Sequence, residues 1–206
     1  NIITKNVMHS PTKGPNVGVY CGYEKTGSDE RPNFIVGNKI SNFNTHGILI
    51  DYGIAQVITD NEIFNSSTST SGTKYGINLN NREKGYSAQV EKNYIHDLTT
   101  ATSGYNTVYG IQAYGYYGED AGSELMIRKN IVKISHPYYG YGIRVYGYRC
   151  GSKETTNILD NEVELTFSGT SGTRYGYGIY NYQYRSKSDS TNISGNSVDL
   201  KGQGGG

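Results

Sequence analysis

The sequence has no tryptophan, only four prolines and two cysteines, and a formal net charge of +1 at pH 7 over 206 residues. Two cysteines cannot form a disulfide framework, so the fold must be held by packing and hydrogen bonds. The small net charge provides no basic surplus of the kind that favours binding to nucleic acid or an anionic membrane. The longest apolar runs fall short of the roughly 18 residues that a membrane span needs, so no membrane insertion is expected.

Glycine (28 residues) and tyrosine (21) are over-used, and serine, threonine and asparagine are frequent. Many short strands joined by polar turns would give this composition. A glycine followed by isoleucine or valine opens a similar run six times, at Gly18, Gly47, Gly76, Gly110, Gly142 and Gly178. In the fifth run, Ile143 and Val145 share the parity that we predict to face the core. Arg144, Tyr146 and Tyr148 share the opposite parity, which we predict to face outward.

A second motif, apolar-x-x-Asn-x-apolar, lies between the glycine runs. Its asparagines are Asn6, Asn38, Asn61, Asn93, Asn130, Asn161 and Asn196, at intervals of 23 to 37 residues. A period of about 20 to 50 residues indicates a solenoid, a propeller or another repeat array. Helical repeats are unfavoured because the apolar residues recur every second position. A propeller blade would need four strands per repeat, for which these repeats are too short.

The sequence therefore predicts an all-β fold, a β-solenoid of about six to seven coils in which equivalent residues stack at strand spacing. Two inward ladders are expected. They are Val19, Ile48, Ile77, Ile111, Ile143 and Ile179, and Ile40, Ile63, Ile95, Val132, Val163 and Val198. The asparagines are expected at a bend, where their amides bond to those above and below. They are also expected to supply the left-handed backbone that a sharp bend needs.

These repeats resemble the right-handed parallel β-helix superfamily with the pectate-lyase-like fold. The resemblance rests on the Ile-x-x-Asn-x-Ile and Gly-Ile units and covers Ile3 to Leu200. It implies a single-stranded right-handed β-helix. Members of that superfamily include polysaccharide lyases, glycoside hydrolases, epimerases, phage tailspikes and adhesins, so the fold does not select one function.

The domain is expected to cover residues 1–201, with a glycine-rich tail or linker at 202–206. Residues 1–17 are expected to cover one end of the solenoid. Cys21 is predicted to be a small core residue. Cys150 lies four repeats later, about 19 Å away at one strand spacing per repeat, which is too far for a disulfide; the redox state of both thiols stays open.

The candidate binding residues lie two, four and six positions after the last three repeat glycines. They are Tyr114, Tyr116, Arg144, Tyr146, Tyr148, Tyr180, Tyr182 and Tyr184, with Gln112 at the remaining position. Rigid rings with a polar tip suit stacking on sugars, and equally a protein interface. Arg144, Tyr146, Tyr148 and Tyr182 are expected to carry most of the binding. A further aromatic column precedes the glycines at His46, Tyr75, Tyr109, Tyr141 and Tyr177, which we interpret mainly as an architectural stack.

No catalytic residues can be assigned from the sequence. Glycoside hydrolysis usually needs two facing carboxylates, but lysines separate Asp60 from Asp160 in the column beside the ladder asparagines. Lys39 and Glu62 are expected to form a solvated ion pair. The four histidines show no metal-ligand spacing, so neither a metal nor a cofactor is expected, with calcium an option only for a lyase.

The function we expect is a non-catalytic or weakly catalytic module, outside the cell or on a cell or virion surface, that binds a polysaccharide or cell-surface glycan. A tailspike, tail fibre or adhesin segment fits this expectation. One alternative is a polysaccharide lyase or glycoside hydrolase whose acids come from Asp51, Glu119 and Asp120. Another is a self-associating solenoid, such as a homotrimer or fibre, with the tyrosines at its interface.

Overall fold

A computed structural model gives the fold of the chain and confirms an all-β parallel β-solenoid. It describes residues 1–9, 15–22, 32–51, 55–65, 72–81, 87–100, 106–115, 124–148, 155–169, 175–184 and 190–202. Over these ranges the regular structure consists of strands. None of the described residues belongs to a helix long and apolar enough to cross a bilayer.

The strands form three parallel sheets, and each strand pairs with its equivalents in the repeats before and after. Sheet A precedes the asparagines and contains Ile2–Thr4, Asn33–Val36, Ala55–Thr59, Ser87–Glu91, Glu124–Arg128, Thr155–Leu159 and Ser190–Ser194. Sheet B follows them and contains Val7–His9, Lys39–Ser41, Glu62–Phe64, Tyr94–Leu98, Ile131–His136, Glu162–Phe167 and Ser197–Gly202. Sheet C begins near the repeat glycines and contains Val17–Gly22, His46–Asp51, Lys74–Asn81, Thr107–Gly115, Tyr139–Tyr148 and Tyr175–Tyr184.

The core lies between the three sheets and is built from columns of equivalent apolar side chains. Ile48, Ile77, Ile111 and Ile143 pair in register along sheet C and are fully buried. Ile40, Ile63, Ile95 and Val132 do the same in sheet B. Burying each such side chain contributes about 1.5–3 kcal/mol. The predicted inward ladders are confirmed except in the last repeat, where Ile179 is only partly buried and Val198 is 45% exposed, because no later strand covers them among the described residues.

The ladder asparagines form a continuous column of hydrogen bonds at the bend between sheets A and B. Asn93 shows the pattern. Its Oδ1 accepts hydrogen bonds from the backbone N and from Nδ2 of Asn61, at 3.1 and 2.9 Å. Its own Nδ2 donates to the Ile58 carbonyl and to Oδ1 of Asn130. The same bonds recur from Asn6 to Asn196, so the predicted amide ladder is confirmed.

The left-handed residue of this bend is not the asparagine, as the sequence suggested, but the residue before it. Positive φ values near 55° occur at Lys5, Asp60, Lys92, Lys129 and Asp160, with glycine in this conformation at Gly37 and Gly195. The asparagine itself must point inward to reach its neighbours. The preceding residue therefore makes the turn, at the steric cost that left-handed backbone imposes on a side chain.

The repeat glycines are required by close packing between sheets B and C. A Cβ atom on Gly110 would collide with Val132 Cγ1 and lie 2.6 Å from the carbonyl oxygen of Gly142. Gly110 and the buried Ile111 therefore both face the core. The usual alternation of sides is interrupted here, because two consecutive residues face inward. The residue before the glycine, Tyr109, and the residue after the isoleucine, Gln112, therefore lie on the same outer face of sheet C.

The chain ends differ from expectation. In the described part of residues 1–17, Ile2–Thr4 and Val7–His9 are edge strands of sheets A and B, so they form the first repeat and do not lie across its end. Cys21 is a free, buried core residue paired with Ile50, as predicted, and burial raises the pKa of its thiol. Cys150 lies outside the described residues.

Replacing Asn93 with alanine removes the side-chain bonds of one ladder position and leaves buried partners without their acceptor or donor. We expect Asn93→Ala to lower the free energy of unfolding by about 3 kcal/mol or more, measured by chemical denaturation. Asn192→Ala is the control, since Asn192 is exposed and outside the ladder. Equal effects of the two substitutions would show that the ladder does not stabilise the fold.

Lys74 is a buried lysine, only 1% exposed, whose Nζ donates to the Asn44 carbonyl at 3.1 Å. Burial lowers its pKa from 10.5 to about 8. The unfolded chain therefore binds more protons between these two pH values, and stability linked to Lys74 rises with pH across that window. The free energy of unfolding of the parent protein should rise by about 3 kcal/mol relative to Lys74→Met from pH 8 to pH 10.5. Comparing the two cancels tyrosine ionisation; parallel pH profiles would contradict the expectation.

Candidate functional site

The outer side of sheet C in the last three repeats carries the candidate site, which we name the tyrosine face. Its described members are Tyr109, Tyr114, Tyr139, Tyr141, Arg144, Tyr146, Tyr175, Tyr177, Tyr180 and Tyr182. The strands that present them pair in parallel register, with Tyr114 beside Tyr146 and Tyr146 beside Tyr182. Residues far apart in the chain therefore form one surface.

The aromatic column that precedes the repeat glycines is a continuous stack. The ring centroids of His46, Tyr75, Tyr109, Tyr141 and Tyr177 follow one another at 4.5, 4.8, 5.0 and 4.9 Å. Successive ring planes differ by at most 14°. The predicted stack is confirmed. Because of the double inward step at each repeat glycine, this stack lies on the tyrosine face rather than at a separate bend.

A second stack runs parallel to the first and is the central column of the predicted patch. The Tyr114 and Tyr146 rings lie 5.5 Å apart, and the Tyr146 and Tyr182 rings 5.1 Å apart. A further pair, Tyr139 and Tyr175, stacks at 5.4 Å. The sequence analysis missed this pair. The alternation Tyr-Gly-Tyr-Gly before the repeat isoleucine was the available signal, since the glycines mark the inward positions and the tyrosines the outward ones.

Arg144 lies between the two stacks. Its guanidinium carbon is 4.8 Å from the Tyr146 ring centroid, and 5.4 and 5.5 Å from those of Tyr141 and Tyr109. Its Nη1 donates to Gln112 Oε1 at 2.9 Å. Gln112 is itself buried and bonds on to Asn78, so it supports the floor of the face and does not offer free binding surface.

Tyr180 occupies the position of Arg144 in the following repeat. Its ring meets the Tyr141 and Tyr177 rings edge to face, at 5.7 and 5.3 Å. It also lies 5.9 Å from the Arg144 guanidinium. The two stacks are therefore bridged by a cation in one repeat and by a ring in the next.

Stacking determines which atoms remain available to a ligand. Rings about 5 Å apart use their faces on each other, so within a stack only ring edges and phenol oxygens point outward. Tyr177 and Tyr182, at the end of the stacks, are 37% and 39% exposed, and one face of each is uncovered by the described residues. Within the described face, ring faces are therefore open to a ligand mainly in this last repeat, and sugar stacking on Tyr146 and Tyr182 stays a prediction.

Two phenols of the first stack, Tyr75 and Tyr141, are held in the neutral form. Burial raises the pKa of Tyr75 and of Tyr141; neighbouring Tyr109 adds to both shifts, and Arg144 opposes them. Burial lowers the pKa of His46 to about 4, so this ring is neutral at physiological pH. Among the described members of the face, Arg144 supplies the positive charge.

Five of the eight predicted binding residues are brought together with their side chains described: Tyr114, Arg144, Tyr146, Tyr180 and Tyr182. The backbones of Tyr148 and Tyr184 pair on adjacent strands, which is the predicted register. Tyr116 lies outside the described residues. Their role in binding stays a prediction.

Of the three candidate acids, Asp51 is the one that the structure describes, so their catalytic role stays a prediction. Asp51 accepts a hydrogen bond from Asn80 Nδ2 at 2.9 Å. Glu119 and Asp120 lie outside the described residues. Lys39 and Glu62 form the expected ion pair, at 2.9 Å with both side chains exposed. The part of the chain that is described contains no group of three histidine, cysteine or acidic residues arranged to hold a metal.

An open pocket of about 360 Å³ lies away from the tyrosine face, beside sheet B, and is lined by Asn65, Asp97, Thr99 and Ser135. Next to it, the His96 ring meets Glu62 Oε1 at 3.3 Å and Asp97 Oδ2 at 2.8 Å. The sequence analysis did not single out this cluster. Its carboxylates are largely exposed, where such pairs contribute little to stability.

In comparisons with known proteins, no family model, no curated protein and no solved structure matches this chain. The fold is therefore shown by the structure alone, and any function has to be argued from the chemistry of the site.

Removing the guanidinium tests how the face is held together. Arg144→Met keeps an unbranched apolar stem but loses the guanidinium with its ring contacts and its bond to Gln112, so we expect the free energy of unfolding to fall by about 1–3 kcal/mol. Lys133→Met is the control, because Lys133 forms an ion pair with Glu162 in which both side chains are exposed, and it should change stability by less than about 1 kcal/mol. If chemical denaturation gave equal values for both, Arg144 would not hold the stacks.

Proposed function

We propose that this chain is a carbohydrate-binding β-helix module, acting outside the cell or on a cell or virion surface, and that the tyrosine face holds the glycan. The observation that carries the proposal is the regular stacking of tyrosine rings along paired parallel strands of sheet C. The fold and the tyrosine cluster are compatible with this function. We also propose that the solenoid is related to right-handed, pectate-lyase-like β-helices of the tailspike or adhesin type.

The chemistry of the face suits sugars because both sides donate and accept hydrogen bonds. A phenol hydroxyl can do either, as can a sugar hydroxyl. The ring edges between the hydroxyls are apolar and rigid, so binding would cost little side-chain ordering. Arg144 adds a single positive charge held by its neighbours rather than freely mobile. A glycan could therefore lie across several strands without the face having to rearrange.

Binding rather than catalysis is proposed because the described face carries phenols, amides and one guanidinium in place of two facing carboxylates. Aromatic residues are also common at protein interfaces. Self-association through the same face, as in a homotrimer, is therefore the competing explanation that the binding experiment has to separate.

Two conservative substitutions test how the face binds. In Tyr146→Phe the ring faces stay occupied by the Tyr114 and Tyr182 rings, so only the hydroxyl is lost and affinity should fall by about 2- to 10-fold. In Tyr182→Phe the ring keeps a face that a sugar can stack on, so affinity should fall less than in Tyr182→Ala, which loses that contact as well. Retention on a glycan array identifies the ligand, and calorimetry with that glycan gives the affinities.

Tyr20→Phe is the matched control, since Tyr20 lies on the same sheet but in the first repeat and is 58% exposed. It should leave affinity unchanged. Failure of the parent protein to be retained by any glycan would overturn the proposal. A stable trimer that loses its association on Tyr146→Ala, without glycan binding, would favour the interface explanation.

A further inference from the structure

The last repeat ends in apolar side chains that face the core direction but remain in contact with solvent. Ile193, Val198 and Leu200 are 47%, 45% and 50% exposed. The residues they pair with in the preceding repeat, Ile158, Val163 and Leu165, are at most 1% exposed. Each coil buries the side chains of the one before it, so the last coil exposes the surface that a further coil would cover.

The first repeat presents the complementary surface. Ile3 and Met8 are only partly buried against the core, and Ile2–Thr4, Val7–His9 and Val17–Gly22 are edge strands. All three sheets are parallel. The first strand of each sheet therefore exposes one edge of its backbone, and the last strand exposes the opposite edge, so the two could pair as neighbouring strands do. Exposed parallel edges of this kind are sites for pairing with another chain.

The repeat motif makes these two ends match each other specifically. Ile193, Asn196 and Val198 occupy the positions of Ile3, Asn6 and Met8 in the same apolar-x-x-Asn-x-apolar motif. Every step of the asparagine ladder runs in one direction, with the backbone N of one asparagine donating to Oδ1 of the next, as from Asn161 to Asn196 at 2.9 Å. One further step would carry the ladder from Asn196 to Asn6 of a second copy.

The outward side chains are also compatible in this register. With Asn196 over Asn6 of the second copy, Asp199 faces His9, an acidic residue opposite a basic one. With Gly178 over Gly18 of the second copy, Tyr180 faces Tyr20, so two rings would meet at the strand spacing at which Tyr146 and Tyr182 stack within the chain. The contact thus repeats the coil-to-coil interface found throughout the solenoid.

We propose that copies of this chain bind head to tail, with the last repeat of one copy against the first repeat of the next. A second copy is the partner because its first coil carries Asn6, and no strand among the described residues pairs with the last coil on that side. Such a contact joins different surfaces and does not close on itself, so it produces open filaments rather than a fixed oligomer. The proposal does not depend on glycan binding, and a sugar stacked on Tyr177 or Tyr182 would compete with it, because Val17 and Gly22 of the next copy lie over those rings in this register.

Blocking each end separately tests it. Val198→Asp places a charge on the last repeat, and Met8→Asp places one on the first. Each variant loses one of the two surfaces that every contact needs, so each alone should associate at least ~10-fold more weakly than the parent protein. Mixed together, they keep one intact end each and should form a complex of two chains and no larger species. Sedimentation velocity over a range of concentrations measures this.

The parent protein should show a mass that rises with concentration. The proposal would be overturned if the parent protein stayed monomeric over the whole range. It would also be overturned if the mixed variants, both folded by circular dichroism, sedimented as separate single chains. Should either variant fail to fold, exposed charges serve instead. Asp199→Lys should weaken association several-fold, and adding His9→Glu to the same chain should restore it. No loss with Asp199→Lys, or no recovery in the double variant, would likewise contradict it.

Discussion

Backbone hydrogen bonds between equivalent strands hold successive repeats about 4.8 Å apart, and every side-chain column in the molecule is built at that spacing. Isoleucine and valine columns fill the inside, and the asparagine column makes the bend between sheets A and B. The aromatic columns on sheet C repeat at 4.5 to 5.5 Å because their backbones do. The spacing of paired strands is also close to the distance at which aromatic rings stack. Tyrosines at equivalent positions of successive repeats therefore stack on one another.

The same spacing restricts what the surface can do. Rings held in continuous stacks use their faces on one another, and the ligand-facing chemistry becomes a row of phenol oxygens with apolar edges between them. Arg144 is held among four rings and Gln112, so its charge helps to fix the stacks in place. The tyrosine face therefore presents rows of phenol hydroxyl groups and ring edges, and few free ring faces.

The sequence was sufficient for the fold because the determinants of stacking are local and repeated. The inward columns and the amide ladder follow from parity and motif spacing. Three features depend on contacts that the motif does not show. Each ladder asparagine points inward to reach its neighbours, so the residue before it, such as Asp60 or Lys92, adopts the left-handed conformation. Val198 is exposed because its burial depends on a following coil. The column at Tyr109 joins the tyrosine face because Gly110 packs against Val132, a contact between two different sheets.

The central claim is that residues one repeat apart in sequence are one strand spacing apart in space. Pulsed electron paramagnetic resonance between spin labels on the outer side of sheet A measures this directly. Labels at Thr4 and Ser194 should lie six spacings apart, about 29 Å, and moving the first label to Val36 should shorten the distance by only about 5 Å. Discrete distances that differ by one spacing would support the account. A broad distribution, or a change of tens of ångströms for this 32-residue step, would contradict it.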